Sequence, residues 1–115
     1  MPNFIETVSI GPAVLKRYMK EAAAEGCRLV QIHANLAPGG YQLIYSIASG
    51  YHLINLEMVI EEDTEVESIS GTYPAAQLYE QEMAELFGVK IVGLPEDPKV
   101  KLYHVQGYPM KGGKQ

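Results

Sequence analysis

Cysteine and tryptophan are nearly missing from this 115-residue chain, which contains one cysteine, Cys27, and no tryptophan. A single cysteine excludes an internal disulfide and fits a reducing compartment. No apolar run approaches the roughly 18 residues that a membrane-spanning helix needs, and the opening MPNFIETVSI lacks the basic start and apolar stretch of a signal peptide. We therefore expect a soluble cytoplasmic protein with no direct membrane insertion.

The chain also lacks the excess of positive charge that binding to nucleic acid requires, because its net charge is -5. The charges are unevenly placed: residues 1–89 carry 4 basic and 12 acidic side chains, whereas residues 90–115 carry 5 lysines and 2 acids. This pattern predicts one domain over residues 1–93, whose α+β class is argued from its helices and strands below, followed by a basic, Gly/Pro-rich tail over residues 94–115. The tail either lies along another subunit, docks on its own domain or is simply solvated.

Catalytic and metal-binding motifs are missing as well. The three histidines, His33, His52 and His104, are scattered and have no partner at zinc or iron–sulfur spacing. No serine lies in a nucleophile turn, and neither PGGY nor KGGK precedes a helix as a phosphate-binding loop does. We predict no catalytic, metal-binding or cofactor-binding residues.

The hydrophobic pattern predicts two helices and a sheet. Apolar residues recur at three- and four-residue spacing in both helices and at two-residue spacing in the strands. Short connections between the strands favour an antiparallel meander of three to four strands, with both helices packed on one face in a two-layer α+β fold. The predicted elements are a helix at 11–26, strands at 27–34, 41–49 and 51–62, a helix at 75–88 and a short strand at 89–93.

The second predicted helix, AAQLYEQEMAELFG, carries a closely spaced group of acids. Glu80 and Glu82 are two residues apart and point to different sides of a helix, which excludes a close carboxylate pair for acid/base catalysis. On a helical projection they fall just outside the two edges of the apolar stripe, and Leu78 lies among the acids. The acids form either a solvated helix face or the border of a partner-binding surface.

The segment TYPAAQLYEQEMAELFGVKIVGLP resembles the signature of the thirty-kilodalton subunit family of respiratory complex I, which includes the small subunits of energy-converting membrane-bound hydrogenases. The resemblance covers roughly residues 10 to 110. The chain departs from the family pattern at Gln81, at Ala84-Glu85 and at Leu94, which favours the hydrogenase or another anaerobic-type branch. The matching residues are Pro74, Ala75, Ala76, Tyr79, Glu80, Glu82, Leu86, Phe87, Gly88, Gly93 and Pro95.

The resemblance implies a structural subunit without catalytic residues, which belongs to the peripheral arm of a membrane-bound redox complex involved in electron transport and ion translocation. Such a subunit packs against a hydrogenase-like large subunit and an iron–sulfur small subunit at the inner face of the cell membrane. Any iron–sulfur cluster or nickel–iron site would lie in those partners, so no cofactor is expected here. The candidate partner-interface residues are Leu78, Glu80, Glu82, Glu85, Lys99 and Lys101.

Two other functions stay open from the sequence. One is a stand-alone α+β interaction module that forms a dimer through its exposed sheet face. The other is a small enzyme that uses Glu80 or Glu82 as a general base, although no nucleophile, histidine or metal partner is visible for either.

The interface hypothesis predicts that reversing the charges of Glu80 and Glu82 abolishes assembly while the isolated domain still folds.

Overall fold

The computed structural model describes residues 4–94, which form a four-stranded sheet, a two-stranded sheet and two helices. The predicted tail, including Lys99 and Lys101, lies outside the described residues. The elements in chain order are β1 (Phe4–Ser9), α1 (Pro12–Ala24), β2 (Arg28–Ala37), β3 (Gly40–Ser49), β4 (His52–Glu61), β5 (Glu65–Glu67), α2 (Ala76–Phe87) and β6 (Lys90–Val92).

The predicted antiparallel meander is confirmed. Strand β3 lies between β2 and β4 and is antiparallel to both, with Tyr45 opposite Ile32 on one side and Leu56 on the other. The pairing of β3 with β4 requires glycine at position 40, because a Cβ atom there would overlap the backbone carbonyl oxygen of Ile60 in β4. A β-bulge interrupts β2 between Leu29 and Gln31.

The first strand is not among the predicted elements. Strand β1 pairs in parallel with β4, with Phe4 opposite His52, so the sheet is mixed and its order is β1-β4-β3-β2. The path from β1 to β4 passes through α1 and the rest of the meander, which permits a parallel pairing that no tight turn could make. The segment FIETVS has no clear alternation of buried and exposed side chains that would indicate a strand, because Ile5 is exposed and Val8 is only partly buried.

The predicted short strand after α2 is also confirmed, but it joins a different sheet. Strand β6 pairs in parallel with β5, with Val66 opposite Ile91, and the backbone N–H of Ser68 donates to the carbonyl of Val92. This small sheet fixes the end of the acidic segment that follows β4, because β5 belongs to that segment. Val66 is fully buried, so the connection contributes to the core rather than forming an open loop.

Both helices pack on one face of the sheet, as the sequence predicted. Gly26 and Gly88 follow the helices with positive φ angles, as residues that end helices commonly do. The core residues from the helices are Leu15, Met19 and Ala22 of α1 and Ala76 and Met83 of α2. The strands contribute Ile32, Ala34, Tyr41, Leu43, Tyr45, Ile47, Leu56, Met58 and Ile60 to the same cluster.

Candidate partner-binding surface

The position of Glu80 differs from the one that helical spacing predicted. Its side chain is 0% exposed, so the prediction that it borders an accessible surface is wrong. Around the helix axis, at 100° per residue, Glu80 lies only about 20° beyond the edge of the apolar stripe predicted for α2. A modest rotation of the helix therefore brings Glu80 inside, where it is buried beside Ala76 and Met83 on the same face.

Two hydrogen bonds hold the buried carboxylate. Its Oε1 accepts from the Ser68 hydroxyl at 2.7 Å, and its Oε2 accepts from the backbone N–H of Ile69 at 2.8 Å. Burial raises the pKa of Glu80 above its usual value, whereas the Ile69 and Ser68 hydrogen bonds oppose that rise. Glu80 thus joins α2 to the segment that follows β5. The sequence analysis expected an exposed Glu80 and did not predict this structural role.

Tyr45 is the second buried ionisable group of this part of the core. Its hydroxyl has no hydrogen-bond partner among the described residues, although the side chain is fully buried. Burial raises the pKa of Tyr45, and the negative charge of Glu80 raises it further. Both side chains are 0% exposed, so neither is in contact with solvent in this structure.

Three tyrosine hydroxyls fix α2 and the segment that leads into it. Tyr73 donates to the carbonyl of Cys27 at 2.7 Å, just before the helix begins. Tyr79 donates to the carbonyl of Val30 at 3.3 Å, and Tyr41 donates to the carbonyl of Phe87 at 2.6 Å at the end of the helix. The helix is therefore held at its beginning and at its end, and its outward face has a defined orientation.

The outward face of α2 contains the remaining interface candidates. Leu78 is 63% exposed, Glu82 is exposed and Glu85 is partly buried. These residues follow one another at spacings of four and three, so they lie along one side of the helix. The result is an apolar side chain followed along the same side of the helix by two carboxylates. Nothing in the structure tests whether a partner covers this surface, and the interface role of these three residues stays a prediction.

Other kinds of site find little support in residues 4–94. Within that range there is no group of three or more His, Cys, Asp or Glu side chains arranged to hold a metal ion. The same residues include no helix that is long and apolar enough to cross a membrane. A shallow pocket beside α1 is lined by Tyr18, Cys27, Ile47 and Ile54 together with acids of the helix, and it lacks a basic group to bind an anion.

These features define the class of protein: a small α+β domain whose second helix turns one leucine and two carboxylates outward. The family model for the 30 kDa subunit of respiratory-chain NADH dehydrogenase matches residues 9–112. The chain belongs to this family, which confirms the resemblance carried by residues 72–95.

Relatives with assigned names agree with the family. A subunit of the NADH-quinone oxidoreductase of Cereibacter sphaeroides is 31% identical over 77 residues, which cover 64% of this chain and 38% of the relative. The corresponding subunit of the Ruegeria pomeroyi enzyme is 31% identical over 74 residues, which cover 62% of this chain and 37% of the relative. The aligned region thus spans less than two-fifths of these relatives' length.

A solved structure has the same fold. A chain from the membrane-bound sulfane sulfur reductase, an archaeal respiratory membrane complex, superposes with a TM-score of 0.71 at 19% identity. The superposition covers all of this chain and 75% of the other. At this identity the likeness is evidence of a common fold.

Proposed function

We propose that this protein is a non-catalytic structural subunit of the peripheral arm of a membrane-bound redox complex, of the energy-converting hydrogenase or NADH:quinone oxidoreductase type. It packs against the hydrogenase-like large subunit of that complex, in contact with the iron–sulfur small subunit. It is held peripherally at the inner face of the cell membrane through these partners. Any iron–sulfur cluster or nickel–iron site belongs to the partner subunits.

The observation that carries the proposal is the surface on α2, in a chain that belongs to the thirty-kilodalton subunit family. Leu78 offers an apolar contact, and the exposed Glu82, one turn further along the helix, offers a carboxylate for a lysine or arginine side chain across an interface, with the partly buried Glu85 next in the same row. Apolar contacts in the centre of an interface contribute affinity, whereas charged pairs at its border mainly set orientation and specificity. The rigid attachment of α2 reduces the entropy that binding would otherwise cost.

The test is purification of the complex from membranes of the native host through a tag on this chain. We expect the hydrogenase-like large subunit to be recovered with the tagged chain. Leu78→Lys combined with Glu82→Lys should remove most of it, because both the apolar contact and the charge complementarity are lost. The control is Tyr51→Lys, which matches the Leu78→Lys half of the double variant because it places one lysine at an exposed apolar residue outside α2.

The burial of Glu80 decides which variants can test the interface. Glu80→Lys is unsuitable because it would bury a lysine beside Tyr45 and break the hydrogen bonds to Ser68 and Ile69. Loss of assembly in that variant would report unfolding. The proposal fails if the wild-type chain recovers no redox subunit, and the assignment to α2 fails if the double variant assembles as well as Tyr51→Lys.

A further inference from the structure

The face of the sheet opposite the helices has no element packed on it within residues 4–94, and we define it as the open face. In β3 and β4 the core-facing residues alternate with side chains that point to this face, such as Gln42, Ile44, Asn55 and Glu57. The residues of the open face are Ile5, Thr7 and Ser9 of β1, Leu53, Asn55, Glu57, Val59 and Glu61 of β4, Gln42, Ile44, Ser46 and Ala48 of β3, and Arg28, Gln31, His33 and Asn35 of β2.

Large apolar side chains are exposed on the open face, because nothing in residues 4–94 covers them. Val59 is 69% exposed and Ile5 is 64% exposed, and Leu53 and Ile44 are only partly buried between them and the polar residues. Lysine is absent from the face, in contrast to the outer side of α1, where Lys16, Arg17 and Lys20 are exposed. Exposed aliphatic groups bordered by polar residues are a feature of protein interaction surfaces.

The polar groups of the open face are already held in place by one another. Asn35 donates to Gln42 at 3.2 Å, and Gln42 donates to Glu57 at 2.7 Å, so one chain of hydrogen bonds crosses three strands. The Ser46 hydroxyl donates to the side chain of Asn55 at 2.7 Å. Side chains that are ordered before binding lose little conformational entropy when a partner arrives, and preorganisation of this kind favours recognition.

The charge distribution determines what kind of partner fits. Glu57 lies opposite Ser9 of β1 and Ile44 of β3 in the middle of the face, and Glu61 lies at the end of the same strand. The single lysine or arginine of the face, Arg28, lies beside Ala48 near the other end of the sheet. The central carboxylate therefore has no cation opposite it on the open face, and a lysine or arginine from outside would complement it.

The size of the face distinguishes the possible occupants. With strands about 4.8 Å apart and a rise of about 3.3 Å per residue, the four strands give a face of roughly 570 Å². That is too large and flat for a small-molecule site, and it is less than the roughly 800 Å² per partner of a standard stable interface. A second copy would also place acidic side chains in a face that is already acidic at its centre.

We propose that the open face binds a partner protein that places aliphatic side chains on Val59 and Ile5 and a lysine or arginine against Glu57. This inference rests on the proposed function and adds to it a second contact surface. Because α2 lies on the other side of the sheet, the two surfaces are directed away from each other. The chain then joins two neighbouring segments of the complex, with the open face as the smaller contact.

The first experiment measures accessibility of Glu57 by carbodiimide labelling of carboxylates, followed by mass spectrometry. The isolated chain is compared with the purified native complex, and Glu21 and Glu25, which are exposed on α1, serve as references. We expect Glu57 to be labelled at least several-fold less in the complex than in the isolated chain. Equal labelling of Glu57 in both samples would overturn the proposal.

The second experiment tests the sign of the charge. Val59→Lys should reduce the yield of complex more strongly than Val59→Glu, since both variants lose the apolar contact but only lysine repels a cationic partner. Tyr51→Lys is the matched control, and thermal unfolding of the isolated variants verifies that each one folds. A complex that forms normally with Val59→Lys overturns this inference and leaves the proposed function intact.

Two other outcomes have a defined meaning. A wild-type chain that recovers no redox subunit overturns both proposals. An isolated chain that is dimeric, with Glu57 already protected from labelling, would show that a second copy occupies the open face and would likewise refute a partner of different sequence.

Discussion

Replacement of Glu80 probes the buried carboxylate most sharply. Glu80→Ala removes the acceptor of the Ile69 N–H and of the Ser68 hydroxyl and leaves a buried donor without a partner. An unsatisfied buried donor costs about 1–3 kcal/mol, and the cavity left by the shortened side chain adds to that cost. We expect Glu80→Ala to lower the free energy of unfolding by roughly 2–4 kcal/mol, a large part of the total stability of a small domain.

Glu80→Gln should behave differently, because it keeps the shape of the side chain and one carbonyl acceptor while removing the buried charge. At neutral pH we expect its free energy of unfolding to lie within about 1 kcal/mol of the wild-type value, since the lost charged hydrogen bond and the relieved desolvation oppose each other. The informative difference is in the pH dependence. Glutamine cannot bind the proton that Glu80 binds.

The sign of that pH dependence follows from the pKa shift. The folded protein raises the pKa of Glu80, so it binds the proton more tightly than the unfolded chain, where the group titrates near 4.5. The contribution of Glu80 to stability is therefore fully present below pH 4.5 and declines as the pH rises from 4.5 through the raised pKa of the folded state. Glu80→Gln should lose this decline, and the difference between the two proteins isolates it.

The assay is urea unfolding of the isolated chain at several pH values between about 5 and 8, with the midpoint as the readout. Glu82→Gln is the matched control because it makes the same substitution at an exposed position of the same helix. Its pH dependence should follow that of the wild type. The reasoning is refuted if Glu80→Gln keeps the wild-type pH dependence, or if Glu80→Ala costs no more than Glu82→Ala.

Two further predictions concern the core and the sheet. Tyr45→Phe should leave the free energy of unfolding unchanged or raise it by up to about 1 kcal/mol, because it removes a buried hydroxyl without a partner in residues 4–94. Tyr41→Phe should lower the free energy of unfolding by about 1 kcal/mol, because the hydrogen bond to the Phe87 carbonyl is lost. Equal effects in denaturant unfolding would contradict this contrast. Gly40→Ala should destabilise the domain by several kcal/mol because the added Cβ meets the Ile60 carbonyl, while Gly71→Ala, with open space around it, should change stability by less than about 1 kcal/mol. A small thermal shift for Gly40→Ala would refute the close approach.

The regular parts of this fold could be predicted well from the sequence. The alternation of Leu43, Tyr45 and Ile47 with their neighbours identified the central strand, and the glycines identified the turns and helix ends. The sequence analysis did not predict the first strand, because its pairing with β4 is long-range and its side chains are mostly exposed. A short strand of this kind gains its stability from its neighbour, which a local pattern does not contain.

The error at Glu80 has a physical reason as well. Helical periodicity gives the direction of a side chain within a few tens of degrees, and Glu80 lies near the edge of the stripe, where that uncertainty decides between core and surface. A carboxylate is rarely fully buried, which favoured the surface. Ser68 and the Ile69 N–H supply the partners that make burial tolerable, and they come from a segment 12 and 11 residues away in the chain. No helical pattern contains that information.

The central claim is that the outward face of α2 contacts the hydrogenase-like large subunit of a redox complex. Photo-crosslinking in intact cells tests it most directly, with a photoreactive amino acid in place of Leu78 and, as the control, in place of Tyr51. The proposal predicts a crosslink from position 78 to the large subunit and none to that subunit from position 51. Crosslinks from position 78 only to a second copy of this chain, or to no protein at all, would contradict it.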